Sequence, residues 1–342
     1  MNDIILTALI PVILLFVMVW GNKKAERLEN FFSKDYTNAL KAAACIIVIL
    51  VHVPAEHQNS MQDGIGSFAF ICVTIFFMVS AYGMQFSAER KATYISTFWR
   101  NRLVALLVPC IAINIVHCLY QSVNKCEWGG QNLHILLHIN NYVVVLLEYC
   151  VFYYVVVRIG QKLKARKEVI DWILIAGVVI SSIVMYFFFD AEGWCWERWG
   201  LVYGILVYRF YPSVIRWLDD KRKIKIGIFF ILALVAGAAY LKYKPVFFYG
   251  EYLLKLLLGI LILTFLFSAT SNRIWSNKAI TFLGAISYEV YLSHGFIMHV
   301  LGNHTNLPSG MFVLSTVALT IIFSWLIHFY ISKPIVKLLR TK

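Results

Sequence analysis

The stretch Asn38–His52 reads NALKAAACIIVILVH and carries a lysine and a histidine within an otherwise apolar segment. At 3.6 residues per turn, Lys41, Cys45 and His52 lie within about 60° of one another on the surface of a helix. Ionisable side chains are costly in hydrocarbon and usually mark functional positions. The segment therefore predicts a membrane helix with one polar face, and that face is a candidate site.

The composition of the chain is that of a polytopic membrane protein. Of its 342 residues, 60% are hydrophobic and 14% are charged, and the mean hydropathy is +0.72. A soluble fold of this length needs more charged surface, whereas about 20 apolar residues cross a bilayer core. We count eleven apolar runs and predict an all-α bundle of about eleven transmembrane helices. The runs are 4–20, 39–53, 66–85, 103–120, 135–157, 171–189, 199–210, 226–241, 252–267, 279–300 and 311–331.

The positive charges predict the orientation of the bundle. Most of the 31 lysines and arginines fall in alternate connecting segments, and such segments stay in the cytoplasm. This pattern predicts an N-terminus outside and a C-terminus inside. Because this topology and anionic lipid at the inner leaflet explain the net charge of +13, no nucleic-acid partner is expected.

Several ionisable groups fall at membrane depth. Glu148 lies in the middle of its apolar run, where an unpaired carboxylate costs about 3 kcal/mol, so we expect it to orient a histidine or bind substrate hydroxyls. Glu289 is expected to form a structural ion pair with Lys255 on the preceding span. All histidines except His328 map to the outer half or the outer loops. The sequence therefore predicts a site in the outer half of the bundle.

Four blocks of sequence, in order, resemble the membrane acyltransferase 3 family. Asn38–His52 resembles the opening helix of the family, and Ile75–Gly83 (IFFMVSAYG) resembles its FF-x-x-S-G-aromatic segment, with Ala81 where glycine is usual. Phe98–Pro109 (FWRNRLVALLVP) is similar to the inner basic turn, and Leu283–His294 (LGAISYEVYLSH) to the G-x-x-S-Y-x-x-Y-L-x-H element.

The resemblance implies a fold, a reaction and a location. It implies a ten-helix acyltransferase domain over residues 38–342, preceded by an extra transmembrane helix and cytoplasmic linker over residues 1–37. The implied reaction moves an acyl group, most often acetyl, from cytoplasmic acyl-coenzyme A to a hydroxyl of a surface or secreted glycan, without a metal. The implied location is the cytoplasmic membrane of a bacterium. No fused extracytoplasmic domain is expected, so the acceptor is acylated directly or through a separate extracytoplasmic transferase.

Residue chemistry assigns roles within this reaction. His52 is the predicted base, since imidazole accepts a hydroxyl proton near neutral pH. Lys41 lies about 16 Å below it along the helix and is predicted, with Arg100 and Arg102, to bind the phosphates of coenzyme A. Topology alone remains an alternative explanation for the two arginines. Glu148 and His294 are predicted to support His52.

The remaining predicted site residues carry hydroxyl groups. The predicted substrate-binding residues are Ser80, Tyr82, Ser287 and Tyr291. A hydroxyl that bonds a carbonyl of its own helix is the alternative for Ser80 and Tyr82. The segment Trp194–Trp199 (WCWERW) fits either sugar contacts or an interfacial aromatic belt. Cys126 and Cys195 both map to outer loops, where a disulfide is permitted.

Two other functions fit a chain of this class. A transporter or flippase for a glycan or lipid-linked intermediate also needs ten or more spans and buried polar residues, but we see neither symmetry between halves nor paired broken helices. A membrane enzyme of another class is the second alternative. The first outer loop has no adjacent acidic pair, which argues against a metal-dependent glycosyltransferase.

Overall fold

The computed structural model describes residues 2–25, 28–125, 130–189, 194–275 and 277–341. The chain is 83% helical, which confirms the predicted all-α membrane bundle. The helices are α1 (Asn2–Val19), α2 (Lys34–Val51), α3 (Ser60–Gly66), α4 (Phe70–Arg90), α5 (Phe98–Lys125), α6 (Gly130–Leu137), α7 (Asn141–Lys162), α8 (Lys167–Phe188), α9 (Trp199–Arg209), α10 (Tyr211–Asp219), α11 (Arg222–Tyr243), α12 (Lys255–Thr270), α13 (Lys278–His304), α14 (Ser309–Leu326) and α15 (Lys333–Thr341).

Shorter elements complete the bundle. A π-helical segment, Tyr249–Leu254, leads into α12, and a second, Ile327–Ser332, joins α14 to α15. Two-residue strands β1 (Lys23–Lys24) and β2 (Arg273–Ile274) pair antiparallel. This pairing ties the chain before α2 to the chain before α13.

Each of the eleven predicted runs contains a helix. Seven described segments are long and apolar enough to cross a membrane: 60–90, 98–124, 141–162, 167–188, 222–243, 249–270 and 309–340. Helices α1 and α9 are shorter, while α2 and α13 carry ionisable residues along their length. The number of spans and the orientation therefore stay predictions.

Helix α2 begins and ends at recognisable signals. The hydroxyl of Ser33 accepts a hydrogen bond from the Tyr36 backbone N–H at 3.2 Å, which caps the first turn. At the other end, His52 is the last half-helical residue, and Pro54 follows two residues later. Because the helix ends at this point, His52 stands at the C-terminal end of α2, and Lys41 lies nearer to its N-terminal end.

Glycines allow two pairs of helices to approach closely. A Cβ built on Gly284 of α13 would overlap the carbonyl oxygen of Asn38 in α2. Gly200 and Gly204 of α9 lie equally close to the carbonyl oxygens of Thr74 and Met78 in α4. Small residues four apart are the usual means by which membrane helices reach van der Waals contact of their backbones. These contacts fix α2 against α13 and α4 against α9.

A polar cluster joins α4, α8 and α9 where α9 ends. Arg209 forms ion pairs with Asp171 and with Glu89, the latter at 3.2 Å. The Gln85 amide donates to the Asp171 carboxylate at 2.8 Å, and Lys167 lies 3.5 Å from Glu89. Because each charge has a partner, this cluster is explained by structure alone.

We expect Gly284→Ala to lower the free energy of unfolding of the purified protein by about 1–3 kcal/mol, because the added methyl group must push α13 away from α2. The melting temperature should fall accordingly. Gly295→Ala is the matched control in the same helix, since a Cβ there meets no atom within 4 Å among the described residues. Thermal unfolding in detergent, followed by intrinsic fluorescence, measures both. Equal melting temperatures for the two variants would contradict the close crossing.

Candidate active site

A cavity of about 450 Å³ lies at the end of α2 where His52 stands. Its walls come from α2, the start of α4, the turn before α9, the end of α11, the start of α12 and the middle of α13. The ionisable and hydroxyl side chains that line it are His52, Ser67, Glu197, Tyr240, Lys244, Glu251, Lys255 and Tyr291. Two of the ten predicted site residues, His52 and Tyr291, therefore face one cavity.

The ring of His52 is held by its own helix. Its Nδ1 lies 2.8 Å from the carbonyl oxygen of Val48. Since a carbonyl oxygen only accepts hydrogen bonds, Nδ1 carries the proton in the neutral ring, and Nε2 keeps its lone pair. The residue is exposed and lines the cavity, so it has the form that a general base requires.

His294 lies beside His52. The two ring centroids are 4.9 Å apart, although 242 positions separate the residues in sequence. His294 is 7% exposed, and its Nδ1 lies 2.6 Å from the carbonyl oxygen of Tyr291. The ring of Tyr291 in turn lies 5.8 Å from that of His294. Three of the predicted site residues, His52, His294 and Tyr291, thus lie next to one another, and their roles stay predictions.

Ser80 reaches this set through a residue that the sequence analysis did not select. Its side chain is close enough to the Tyr142 hydroxyl to interact with it electrostatically. The Tyr142 ring lies 5.1 Å from Tyr291 and 6.2 Å from Trp194. The spacing of residues in the sequence could not predict this contact, because it depends on how α7, which carries Tyr142, packs against α13.

Two predicted substrate-binding residues lie away from the cavity. Tyr82 packs near the opposite end of α2, with its ring 4.7 Å from Phe32 and 5.5 Å from Tyr208. Ser287 is buried, and its hydroxyl donates to the carbonyl oxygen of Gly284 in its own helix at 2.9 Å. Neither contact tests a substrate role, which stays a prediction for both residues.

Glu148 pairs with an arginine rather than with a histidine. Its Oε2 lies 3.0 Å from a guanidinium nitrogen of Arg198, and the two side chains are 52% and 7% exposed. Arg198 belongs to the segment WCWERW, whose aromatic residues alone suggested a function, so the sequence did not predict this partner. The pairing neutralises the carboxylate that seemed unexplained, and a catalytic role for Glu148 stays a prediction.

The predicted ion pair between Glu289 and Lys255 is wrong. Glu289 Oε1 lies 2.9 Å from His328 Nδ1, and Lys41 is close enough to Glu289 to interact with it electrostatically. Lys255 instead places its ammonium 3.4 Å from the centroid of the Trp196 ring. The two spans carry their charges to different parts of the bundle, which helical periodicity alone does not reveal.

The three predicted phosphate ligands lie outside the His52 cavity. Arg100 is exposed, and a terminal nitrogen of Arg102 donates to the Tyr94 hydroxyl at 3.1 Å. Arg340 of α15 lies within electrostatic range of Arg102. Lys41 is partly buried and lies on α2, 11 positions before His52. A role in binding coenzyme A stays a prediction for all three.

Glu197 is a polar residue of the cavity that the sequence analysis did not select. It is 8% exposed, and its Oε1 accepts a hydrogen bond from the Trp196 indole N–H. Burial raises the pKa of the Glu197 carboxyl, and the nearby Lys255 ammonium opposes this shift. Glu197 lies in a tryptophan-rich segment, and nothing in that segment except its composition indicated that this glutamate faces a cavity.

The neighbouring cysteine bears on the predicted disulfide. Cys195 is buried, and burial raises the pKa of its thiol to about 12. The proposed partner, Cys126, lies outside the described residues, so the pairing stays a prediction. Within the described ranges, no three His, Cys, Asp or Glu side chains are grouped as ligands of a metal ion.

Comparison with known families identifies the chain. A family model for an acyltransferase domain, acyltransferase 3, matches residues 34–329. The chain belongs to the acyltransferase 3 family. Searches of curated proteins and of solved structures each gave no significant match. Membership confirms the resemblance drawn from the four motifs, and it makes this integral membrane protein an acyltransferase.

In this acyltransferase we expect both site histidines to occupy the Nδ1–H tautomer, because each Nδ1 faces a backbone carbonyl. Nitrogen-15 spectra of histidine-labelled protein at neutral pH measure the tautomers, with His52→Asn and His294→Asn assigning the two signals. His304, whose Nε2 lies 2.9 Å from the Tyr120 hydroxyl, serves as the reference ring outside the cavity. Nε2–H signals from both site histidines would contradict the geometry.

Proposed function

We propose that this acyltransferase moves an acyl group, most simply acetyl, from acyl-coenzyme A to a hydroxyl of a cell-surface or secreted glycan, in the cytoplasmic membrane of a bacterium. The proposal depends on the position and hydrogen bonding of His52. Its ring lines a 450 Å³ cavity with Nδ1 bonded to the Val48 carbonyl and Nε2 left to accept a proton. Membership of the acyltransferase 3 family supports the class of reaction.

The proposed reaction has one proton acceptor. His52 Nε2 takes the proton of the acceptor hydroxyl as the oxygen attacks the thioester carbonyl carbon. The tetrahedral intermediate then expels the coenzyme A thiolate, and the imidazolium returns the proton to that sulfur. His294, with its ring 4.9 Å away, supports the position of His52, and the hydroxyl groups of Ser80, Tyr142 and Tyr291 are the nearby donors for an oxyanion.

The donor site is proposed at the opposite end of α2. Arg102 and Arg340 lie close together there, and neither has a carboxylate within 4.0 Å among the described residues. Two guanidinium groups without a counter-ion favour a phosphate. We therefore add Arg340 to Lys41, Arg100 and Arg102 as a proposed contact of the coenzyme A phosphates.

His52→Ala should reduce acyl transfer by about 100- to 10,000-fold, which is the usual contribution of a positioned base. Purified protein is given radiolabelled acetyl-coenzyme A with and without candidate glycans, and labelled product and free thiol are measured. His304→Ala is the control, since that histidine is exposed and lies outside the cavity. Full activity in a folded His52→Ala protein would remove His52 from the mechanism.

Arg340→Gln should raise the KM for acetyl-coenzyme A by about tenfold while kcat changes little, because a phosphate contact remote from the thioester contributes uniform binding. Arg158→Gln is the matched control, since Arg158 is exposed and its guanidinium lies 6.0 Å from the Tyr154 ring centroid. An unchanged KM in Arg340→Gln, or an equal increase in the control, would argue against a phosphate site at this position.

A further inference from the structure

The wall of the cavity that is formed by the turn before α9 and by the start of α12 has no role in the proton transfer. Glu197 comes from the turn and Lys255 from α12. Their charges interact, but no nitrogen–oxygen distance of 4.0 Å or less joins them in the described part of the chain. The two groups are therefore near one another without forming a closed ion pair.

One oxygen of Glu197 lacks a partner. Oε1 accepts from the Trp196 indole N–H, whereas the buried Oε2 has no hydrogen bond from any described residue. Buried carboxylate oxygens are nearly always satisfied, because leaving one unpaired costs a large part of its hydration free energy. Glu197 is 8% exposed and lines the cavity, so a ligand that enters the cavity could supply the hydrogen-bond donor that this carboxylate lacks among the described residues.

Lys255 presents the complementary group. Its ammonium lies over the face of Trp196, 3.4 Å from the ring centroid, and 4.9 Å from that of Phe70. Aromatic faces stabilise an ammonium but leave its N–H donors unused. A ligand hydroxyl that donates to Glu197 and another that accepts from Lys255 would satisfy both side chains.

The charges of the lining favour a neutral ligand. The cavity contains two carboxylates, Glu197 and Glu251, and two ammonium groups, Lys244 and Lys255. An anionic ligand would meet the carboxylates, and a cationic ligand would meet the lysines. The rings of Trp194, Trp196 and Tyr240 provide flat apolar surface beside these charges. Such a lining suits a polyhydroxylated ring without formal charge.

The backbone on both sides of this wall is unusual. Trp194 has φ +49° and Phe248 has φ +58°, values that side-chain-bearing residues rarely adopt. The π-helical segment Tyr249–Leu254 follows Phe248 and brings Glu251 and Lys255 to the cavity. Strained residues and π-helical turns are concentrated at functional sites.

We propose that Glu197 and Lys255 form the acceptor subsite, which holds hydroxyl groups of a neutral sugar ring so that a further hydroxyl faces His52. This inference rests on the proposed function for its orientation toward His52. The binding of the sugar itself depends only on the cavity, so it is measured without an acyl donor.

The test uses the full-length protein in lipid nanodiscs, where no glycoside detergent competes. Maltotriose and chitotriose serve as neutral probes and trigalacturonate as the anionic probe, with binding measured by saturation-transfer NMR and calorimetry. We expect both neutral probes to bind better than trigalacturonate. Glu197→Gln should weaken the binding of the neutral probes about tenfold, because the amide keeps only one acceptor oxygen and lacks the negative charge that strengthens a hydrogen bond from a ligand hydroxyl.

Two further variants make the result decisive. Glu56→Gln is the control, because Glu56 is an exposed glutamate outside the cavity, and it should bind as the wild type does. Lys255→Gln tests the other half of the subsite and should weaken binding independently if Glu197→Gln proves unstable. Absence of neutral-sugar binding, preference for trigalacturonate, or unchanged binding in both cavity variants would overturn the subsite.

Turnover of acetyl-coenzyme A separates this inference from the proposed function. Sugar binding that depends on Glu197 in a protein that never consumes acetyl-coenzyme A would support the subsite and refute the acyl transfer. Conversely, acyl transfer with an unchanged acceptor KM in Glu197→Gln and in Lys255→Gln would support the function and refute the subsite.

Discussion

The close crossing of α2 and α13 is the contact on which the candidate site depends. Gly284 allows the backbone of Asn38 to approach it, and from that contact the two helices run in the same direction toward His52 and His294. A side chain at position 284 would separate the helices and move the two imidazoles apart. In a bilayer, where apolar surface gives no preference for protein over lipid, such packing is the main force that holds helices together.

Local patterns predicted the helices well, because hydrocarbon requires every backbone group to bond within its own segment. Each apolar run became a helix for this reason, and the motifs around His52 and His294 identified both halves of the histidine pair. The number of membrane spans was harder to predict. Helices α1 and α9 are short, and helices α2 and α13 carry polar residues, so hydropathy does not decide whether these four helices cross the membrane. Hydropathy measures one segment at a time, whereas partners on neighbouring helices decide whether a polar segment is stable in the membrane.

The contacts between segments were harder to predict. Glu148 was selected because it lies alone in an apolar run, yet Arg198 from a loop reaches it at 3.0 Å. The pairing of Glu289 with Lys255 was wrong because each has another neighbour, His328 and Trp196 respectively. Glu197 was missed because nothing in WCWERW distinguishes an interfacial belt from the wall of a cavity. In each case the deciding information is which helices are neighbours, and a single sequence does not contain it explicitly.

The distribution of charge between the start of α5 and the His52 cavity constrains how the proposed donor is used. At the start of α5 the bundle offers Arg102 with Arg340 beside it, which suit phosphates, whereas the lining of the cavity at His52 is balanced between two carboxylates and two lysines. Moving a phosphate between these ends would place an anion in a region of low dielectric constant at a cost of several kcal/mol. A thioester and its pantetheine arm carry no formal charge. In the proposed reaction, the acyl end of the donor would therefore reach His52 at far lower cost while its phosphates stay with the arginines. This division gives a reason for Lys41 and His52 to stand on one face of α2 but about 16 Å apart.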